Sequence, residues 1–181
     1  MKKNIPLSTK GIDELIGILK DYQEVTLEHK AHELAKRLAD RGLEIANMRF
    51  QRAEYDGVND VTVRVEQRST RRKNAEVYAV VATGEASVFI EFGTGIHYGS
   101  PTHPEAGKNG FFRGMFGLHK GLLDKWFYKG QPGTHGKIVK TNKEGETIIA
   151  THGNRANMPM YITKRQLEEM LSSIASEVFK E

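Results

Sequence analysis

Apolar residues recur along this chain in two distinct rhythms. Ile12, Leu15, Ile16 and Leu19 stand at helical spacing, which predicts a helix over residues 11–22 with Ser8 or Thr9 as its cap. Leu27, Ala31, Leu34, Leu38, Ile45 and Ala46 then fall near one face, with Lys, Arg and Glu opposite. They predict a longer helix from about residue 25 to 53. Gly42 lies inside it and marks a bend or a break, and Asp56-Gly57 is the turn that ends it. The period then changes. Val61, Val63 and Val65 alternate with Thr62 and Arg64, and Val77, Ala79 and Val81 alternate with Tyr78 and Val80. These are the patterns of half-buried strands, paired as an antiparallel hairpin. Ala86 to Phe92 reads as a third extended or partly helical element, with the apolar run Ala86–Ile90 taken as a strand that ends at the glycine pair Gly93 and Gly95. A final helix is predicted over residues 163–180, with Thr163 as N-cap and Leu167, Met170, Leu171, Ile174 and Val178 as its apolar stripe.

Residues 93–157 break both rhythms. Thirteen of the 18 glycines fall there, together with Phe111, Phe112, Phe116, Trp126, Phe127 and Tyr128. One hairpin is legible, Lys137–Lys140 against Thr147–Ala150 through Asn142-Lys143-Glu144-Gly145, and otherwise regular structure looks sparse. Long loops of this kind are uncommon and usually functional. A purely disordered linker seldom carries so many aromatic rings, so the segment packs either on its own domain or on a neighbouring subunit.

Composition narrows the classes. The 181 residues suit one domain, 1–181, with 93–157 as an extended insertion. With no cysteine, disulfides, zinc ribbons and thiol nucleophiles are excluded. The basic start Met1-Lys2-Lys3-Asn4-Ile5-Pro6 leads into no long apolar run, so neither a signal peptide nor a membrane helix is expected. The net charge of +4 is unevenly placed: residues 93–160 carry nine basic and four acidic side chains. Such a surface can meet phosphates or an acidic partner, and a solvated lysine-bearing loop fits equally well. Arg68, Arg71, Arg72 and Lys73 cluster at the tip of the first hairpin. They are candidate DNA-facing residues, although charge on a hairpin tip more often serves solvation.

Candidate chemistry is thin. His97, His103, His119, His135 and His152 lie close together in sequence, but no His-Glu-x-x-His occurs, and His103-Pro104-Glu105 lacks the downstream cysteine pair of zinc deaminases. Gly93-Thr94-Gly95 fits neither the P-loop nor the dinucleotide fingerprint. Glu85, Glu91 and Glu105 have no spacing that makes a catalytic acid set, and Glu91 reads as a residue that forms a salt bridge or binds backbone amides at the turn. No cofactor, metal ligand or catalytic residue is assigned. A metal-dependent nuclease or hydrolase using the loop histidines with Glu91 or Glu105 remains an alternative, as does a non-specific DNA-binding module.

Three motifs in order are more telling: Phe89-Ile90-Glu91-Phe92-Gly93-Thr94-Gly95, then His103-Pro104, then Asn154-Arg155-Ala156-Asn157-Met158-Pro159-Met160 before the terminal helix. Over most of its length the chain resembles the tail-component (neck, tail-completion or head–tail joining) proteins of long-tailed double-stranded DNA bacteriophages and prophages. The stretch Gly107 to His152 is longer than in small members and resembles a subgroup with a Gly-Phe-x-Arg-Gly and Trp-x-Tyr-x-Gly insert. The resemblance implies an α+β fold, a small antiparallel sheet packed by a long N-terminal helix and a C-terminal helix. It also implies a non-enzymatic structural protein of the virion neck, assembled in the host cytoplasm. Copies of the chain would form a ring, six by the symmetry of tails, between the connector or stopper and the tail terminator or tail tube. Contact with DNA in the conduit would be non-specific, and no membrane is involved. In that setting Glu91, Phe92, Gly93, Thr94 and Gly95 form the turn that launches the loop. Phe111, Phe112, Trp126, Tyr128, Met158 and Pro159 are the candidate contacts to other subunits.

Overall fold

A computed structural model describes residues 9–22, 26–69, 76–95, 103–111, 125–133 and 135–180. Helix α1 (Thr9–Asp21) precedes α2 (Leu27–Gln51), the hairpin β1 (Thr62–Ser69) and β2 (Glu76–Thr83), and a short helix α3 (Ala86–Phe92). A 3-10 turn at Gly107–Asn109 follows, then β3 (Trp126–Lys129), β4 (Lys137–Thr141), β5 (Thr147–Thr151) and the terminal helix α4 (Pro159–Lys180). The fold is α+β. Two antiparallel sheets form, β1-β2 and β3-β5-β4, and the long helices α2 and α4 pack together on the first.

The alternating valines give the hairpin its register. Val65 lies opposite Val80 and Val63 opposite Ala82. Val63 and Ala82 join Val61, Ala53, Tyr55 and Met160 around a buried centre of Phe50, Ala86 and Ile90. Gly42 does not break α2, which runs unbroken from Leu27 to Gln51. It lies where that helix approaches two neighbours closely: a Cβ there would lie 2.9 Å from Val80 Cγ2 and 3.0 Å from Leu167 Cδ1. The apolar face is covered only towards the C-terminal half of α2, where Ala39, Ile45, Ala46 and Phe50 are buried. Leu27, at its start, is 43% exposed.

Three expectations are corrected. Ala86–Phe92, read as extended or partly helical, is a helix, so the strand reading of the run Ala86–Ile90 is overturned. A seven-residue apolar run fits either, and here a remote side chain decides: the Asp60 carboxylate accepts the N–H groups of Glu85 at 2.8 Å and Ala86 at 2.9 Å. Orphan donors at the first turn are thereby satisfied, and the i, i+4 pair Ala86 and Ile90 turns to the core. These backbone donors hold the Asp60 carboxyl below its ordinary range, against a smaller opposing effect of desolvation. Secondly, α4 begins at Pro159, so Thr163 is not its cap. Thr163 is buried inside the helix and its hydroxyl donates to the Pro159 carbonyl at 2.7 Å. Proline suits the first helical position because the N–H it lacks has no intrahelical acceptor there. Thirdly, the Gly-rich segment holds more regular structure than one hairpin, because β3 joins it: Tyr128 pairs with Ile149 and Trp126 with Thr151.

Asp56 ties this second sheet to the body. Its carboxylate accepts the His135 N–H at 2.7 Å and the Thr151 hydroxyl. Enlarging Gly42 separates α2, β2 and α4 at once. Gly42→Val is expected to lower unfolding free energy by about 1–3 kcal/mol despite the poor helix propensity of glycine, and urea unfolding measures it. An unchanged midpoint would show that the three elements do not close on this residue.

Candidate functional site

The three sequence motifs converge on one carboxylate. Glu91 sits in the last turn of α3 and is 7% exposed. Its Oε2 accepts the Met160 N–H at 2.8 Å, and its Oε1 accepts the Tyr161 N–H at 2.9 Å. Both donors belong to the first turn of α4, 69 and 70 residues further along the chain. A carboxylate is well placed there, since the open N–H groups and the helix dipole both favour negative charge. Oε1 also meets His103 Nε2 at 2.9 Å. His103 Nδ1 accepts the Glu105 N–H at 3.0 Å, so the ring proton sits on Nε2 and is donated to Glu91. The buried carboxylate thus has three donors, and both nitrogens of the 4% exposed histidine are engaged.

Aromatic rings enclose the pair. The His103 ring packs on Phe92, at 4.4 Å between centroids, and edge-on to Tyr161, at 5.3 Å. Phe111 stacks on Phe92 at 4.0 Å and 11°. Glu105 binds Lys164 at 2.8 Å, a second tie between the His-Pro segment and α4.

The glycine turn works against residues 152–158. After α3 the chain turns at Gly93 (φ 80°) and again at Gly95 (φ 63°). Positive φ favours glycine, and space requires it too: a Cβ at Gly93 would lie 2.8 Å from the Ala156 nitrogen, and one at Gly95 would lie 2.7 Å from the His152 carbonyl. Between them the buried Thr94 is clasped by Asn154. The Thr94 N–H donates to the Asn154 carbonyl at 2.8 Å, the Thr94 hydroxyl to Asn154 Oδ1 at 2.6 Å, and the Asn154 N–H to Thr94 Oγ1 at 3.0 Å. The final carbonyls of α3 find partners in the same strap. Phe89 receives the Asn154 amide, Ile90 the Asn157 N–H and Glu91 the Met158 N–H. The strap then enters α4 through Met158, which holds a positive φ of 56°. The turn motif therefore binds backbone, as Glu91 was expected to do, but the backbone belongs to α4 and the strap before it.

The expected contact residues have uses inside the subunit, and this corrects the prediction for Trp126. Trp126 is 5% exposed, edge-on to Phe89 at 5.8 Å and stacked on Tyr128 at 5.2 Å. It joins β3 to α3. Pro159 is buried at the start of α4, Met158 is half-buried in the strap, and Phe111 packs on Phe92. Phe112 lies outside the described residues, as do Arg71, Arg72, Lys73, His97 and His119. Arg68 is described, and its guanidinium pairs with Glu66 at 2.6 Å, as does that of Arg64. The three loop histidines within the described residues are not brought together: His103 is buried on Glu91, while His135 and His152 are exposed. Among the described residues no group of three His, Asp or Glu side chains is placed to hold a metal ion, and no helix is long and apolar enough to cross a membrane.

A cleft of about 630 Å³ opens beside Trp126, floored by Phe89, Trp126 and Tyr128 and edged by Tyr55, Asp60 and Glu85. Sequence reasoning missed it because its wall comes from three distant segments. Burial pushes the Tyr55 phenol up to about 12, with Tyr128, Asp60, Asp56 and Glu85 adding to the shift. Burial raises Tyr128 too, helped by Asp56.

Comparison with known protein families, with curated proteins and with solved structures finds no match to this chain.

Two predictions follow from this geometry. Glu91→Gln keeps the shape but turns an acceptor oxygen into an NH2 that faces an N–H. It should cost about 2 kcal/mol of unfolding free energy, and alanine at Glu91 and His103 together should cost less than the separate losses by about 0.5–3 kcal/mol. A Glu91→Gln chain as stable as the parent in urea would refute the node. Secondly, Tyr55 keeps its proton in the folded chain where the unfolded chain releases it. Stability from this group is therefore complete below pH 10 and falls as pH rises from 10 towards about 12. Tyr55→Phe should flatten that part of the stability–pH profile, and absorbance of the phenolate should show a late-ionising tyrosine that the variant lacks.

Proposed function

We propose that this chain is a structural component of the neck of a long-tailed double-stranded DNA bacteriophage or prophage, acting in tail completion by forming a ring through subunit contacts. The observation that supports this reading is the convergence of Glu91-Phe92-Gly93-Thr94-Gly95, His103-Pro104 and Asn154–Met160 on one buried node. Those three motifs carry the family resemblance, and a shared structural role gives a physical reason for their occurrence in order on one chain. The bonding of the node supports a non-enzymatic role. Its carboxylate is occupied by helix amides and an imidazole, and that imidazole by the carboxylate and a backbone amide, so neither is poised to accept a substrate proton. Function then falls to the surfaces. The ring, of six copies by tail symmetry, sits between connector or stopper and tail terminator or tail tube, and touches DNA in the conduit through charge without reading bases.

Mass measurement in solution, over a range of concentrations and with purified tail tubes, tests this reading. A closed ring, alone or on the tube end, is the expected result. A single copy under every condition sinks it, as does stoichiometric zinc or manganese in the purified protein together with DNA cleavage.

A further inference from the structure

The cleft beside Trp126 joins an aromatic floor to an acidic rim. Phe89, Trp126 and Tyr128 form the floor, where Tyr128 stacks on Trp126 at 5.2 Å and Phe89 meets it edge-on at 5.8 Å. Tyr55 stands at the wall, and among the described residues its hydroxyl has no hydrogen-bond partner. Asp60 and Glu85 edge the cleft, and their charges are not neutralised. Asp60 Oδ2 accepts the Glu85 N–H at 2.8 Å, which holds the two acidic residues side by side. Glu85 is exposed, and among the described residues its carboxylate has neither an ion pair nor a hydrogen bond. Among the described residues the lining has one cation, Lys129, and it already binds Glu146 at 2.8 Å. Buried Asp56 adds to the same negative field, which acts on the Tyr55 phenol together with burial.

We infer that this cleft takes the guanidinium group of an arginine residue on a partner protein. The inference goes beyond the neck reading and does not rest on it. Aromatic rings attract a cation through their negative faces, and a carboxylate at the edge supplies the opposite charge. Either half alone is commonplace; together in one cleft they select an organic cation over a neutral apolar group. A guanidinium fits better than an ammonium. It is planar and weakly hydrated, so it can stack on a ring while its N–H fork meets a carboxylate. Glu85 is the acceptor for that fork, because neither of its oxygens is taken by a donor among the described residues. An arginine within a polypeptide is favoured over the free amino acid. Free arginine carries a carboxylate, which would lie close to Asp60 and Glu85 and would find only Lys129, already paired, as a cation. A peptide-linked arginine brings no such group.

Trp126 is the only tryptophan of the chain, so its single indole N–H resonance reports on the cleft floor. Nα-acetyl-arginine amide is titrated into the full chain while that resonance is followed. A saturable shift in the millimolar range is expected, absent with the neutral isostere Nα-acetyl-citrulline amide and weaker with Nα-acetyl-lysine amide and with free arginine. Glu85→Gln should weaken binding of the arginine derivative about threefold or more. Its urea midpoint should be unchanged, because the Glu85 side chain makes no bond among the described residues. Asp60 is left intact, since its carboxylate holds the start of α3. No shift, an equal shift with the citrulline derivative, or unchanged affinity in Glu85→Gln overturns the site. A lysine derivative that binds as tightly overturns the choice of guanidinium. Free arginine binding more tightly than the amide overturns the partner residue in favour of an amino-acid ligand.

Discussion

One buried carboxylate beneath a helix start is the constraint on which the rest of this structure depends. Burying an ionised group is costly unless donors replace the water it loses. Glu91 finds them in the Met160 and Tyr161 amides and in His103. None of the three comes from its own helix. The α3 helix, the His-Pro segment and the start of α4 must therefore arrive together for any of them to be satisfied. The same requirement explains where α4 begins. Its first turn has open N–H groups, Pro159 removes one of them, and the side chain of a distant helix takes the next two.

The neighbouring contacts extend this logic to the backbone. A seven-residue helix ends with carbonyls that lack partners within it, and the strap from Asn154 to Met158 supplies them at Ile90 and Glu91 and adds the Asn154 side-chain amide to the Phe89 carbonyl, which also accepts the Gly93 N–H. Close approach of strap and turn leaves no room for a Cβ at Gly93 or Gly95. The motif expected to launch a loop is bonded on both sides, to the strap through Thr94 and to α4 through Glu91. Asp56 repeats the arrangement on the other side, where one carboxylate joins the connection after α2 to the second sheet. Side-chain carboxylates holding backbone amides, rather than large apolar interfaces, thus fix the relation between the small elements.

This division explains what the sequence made legible. The valine alternation and the long apolar stripes mark regular elements, so the first hairpin, the β4–β5 hairpin, α2 and α4 could be read as elements, although Leu27 and Leu171 on the expected stripes are 43% and 45% exposed and β4 is exposed throughout. For Ala86–Phe92 the sequence left extended and partly helical states open, because the choice depends on Asp60, which is remote in sequence and carries no mark of its role. The start of α4 was misplaced for a related reason: Thr163 looks like a cap, yet the true acceptor lies in another helix. Among the site residues, the expectation that Glu91 binds backbone amides or a salt-bridge partner was legible from a lone acid beside a glycine turn. Its particular partners were not. The aromatic count did say that the Gly-rich segment packs on something. It could not say that Trp126 packs inward on Phe89, because composition gives the need for burial without its direction.

What remains open on the described surface has a different chemistry from what is closed. The closed parts are polar groups satisfied in pairs and triples, and they fix a shape. The open parts include apolar side chains of α1 and of the groove beside α4, at positions whose periodicity encodes burial. Exposed leucine or isoleucine taken singly needs no explanation, but four on one face of a helix that must pack to be stable do. Buried carboxylates join the small elements of the body, while the α1 stripe and the groove beside α4 stay open among the described residues. The groove is shaped by α2, β2 and α4, and the start of α4 is held by Glu91, so the same buried carboxylate that closes the polar node also sets one wall of the apolar surface.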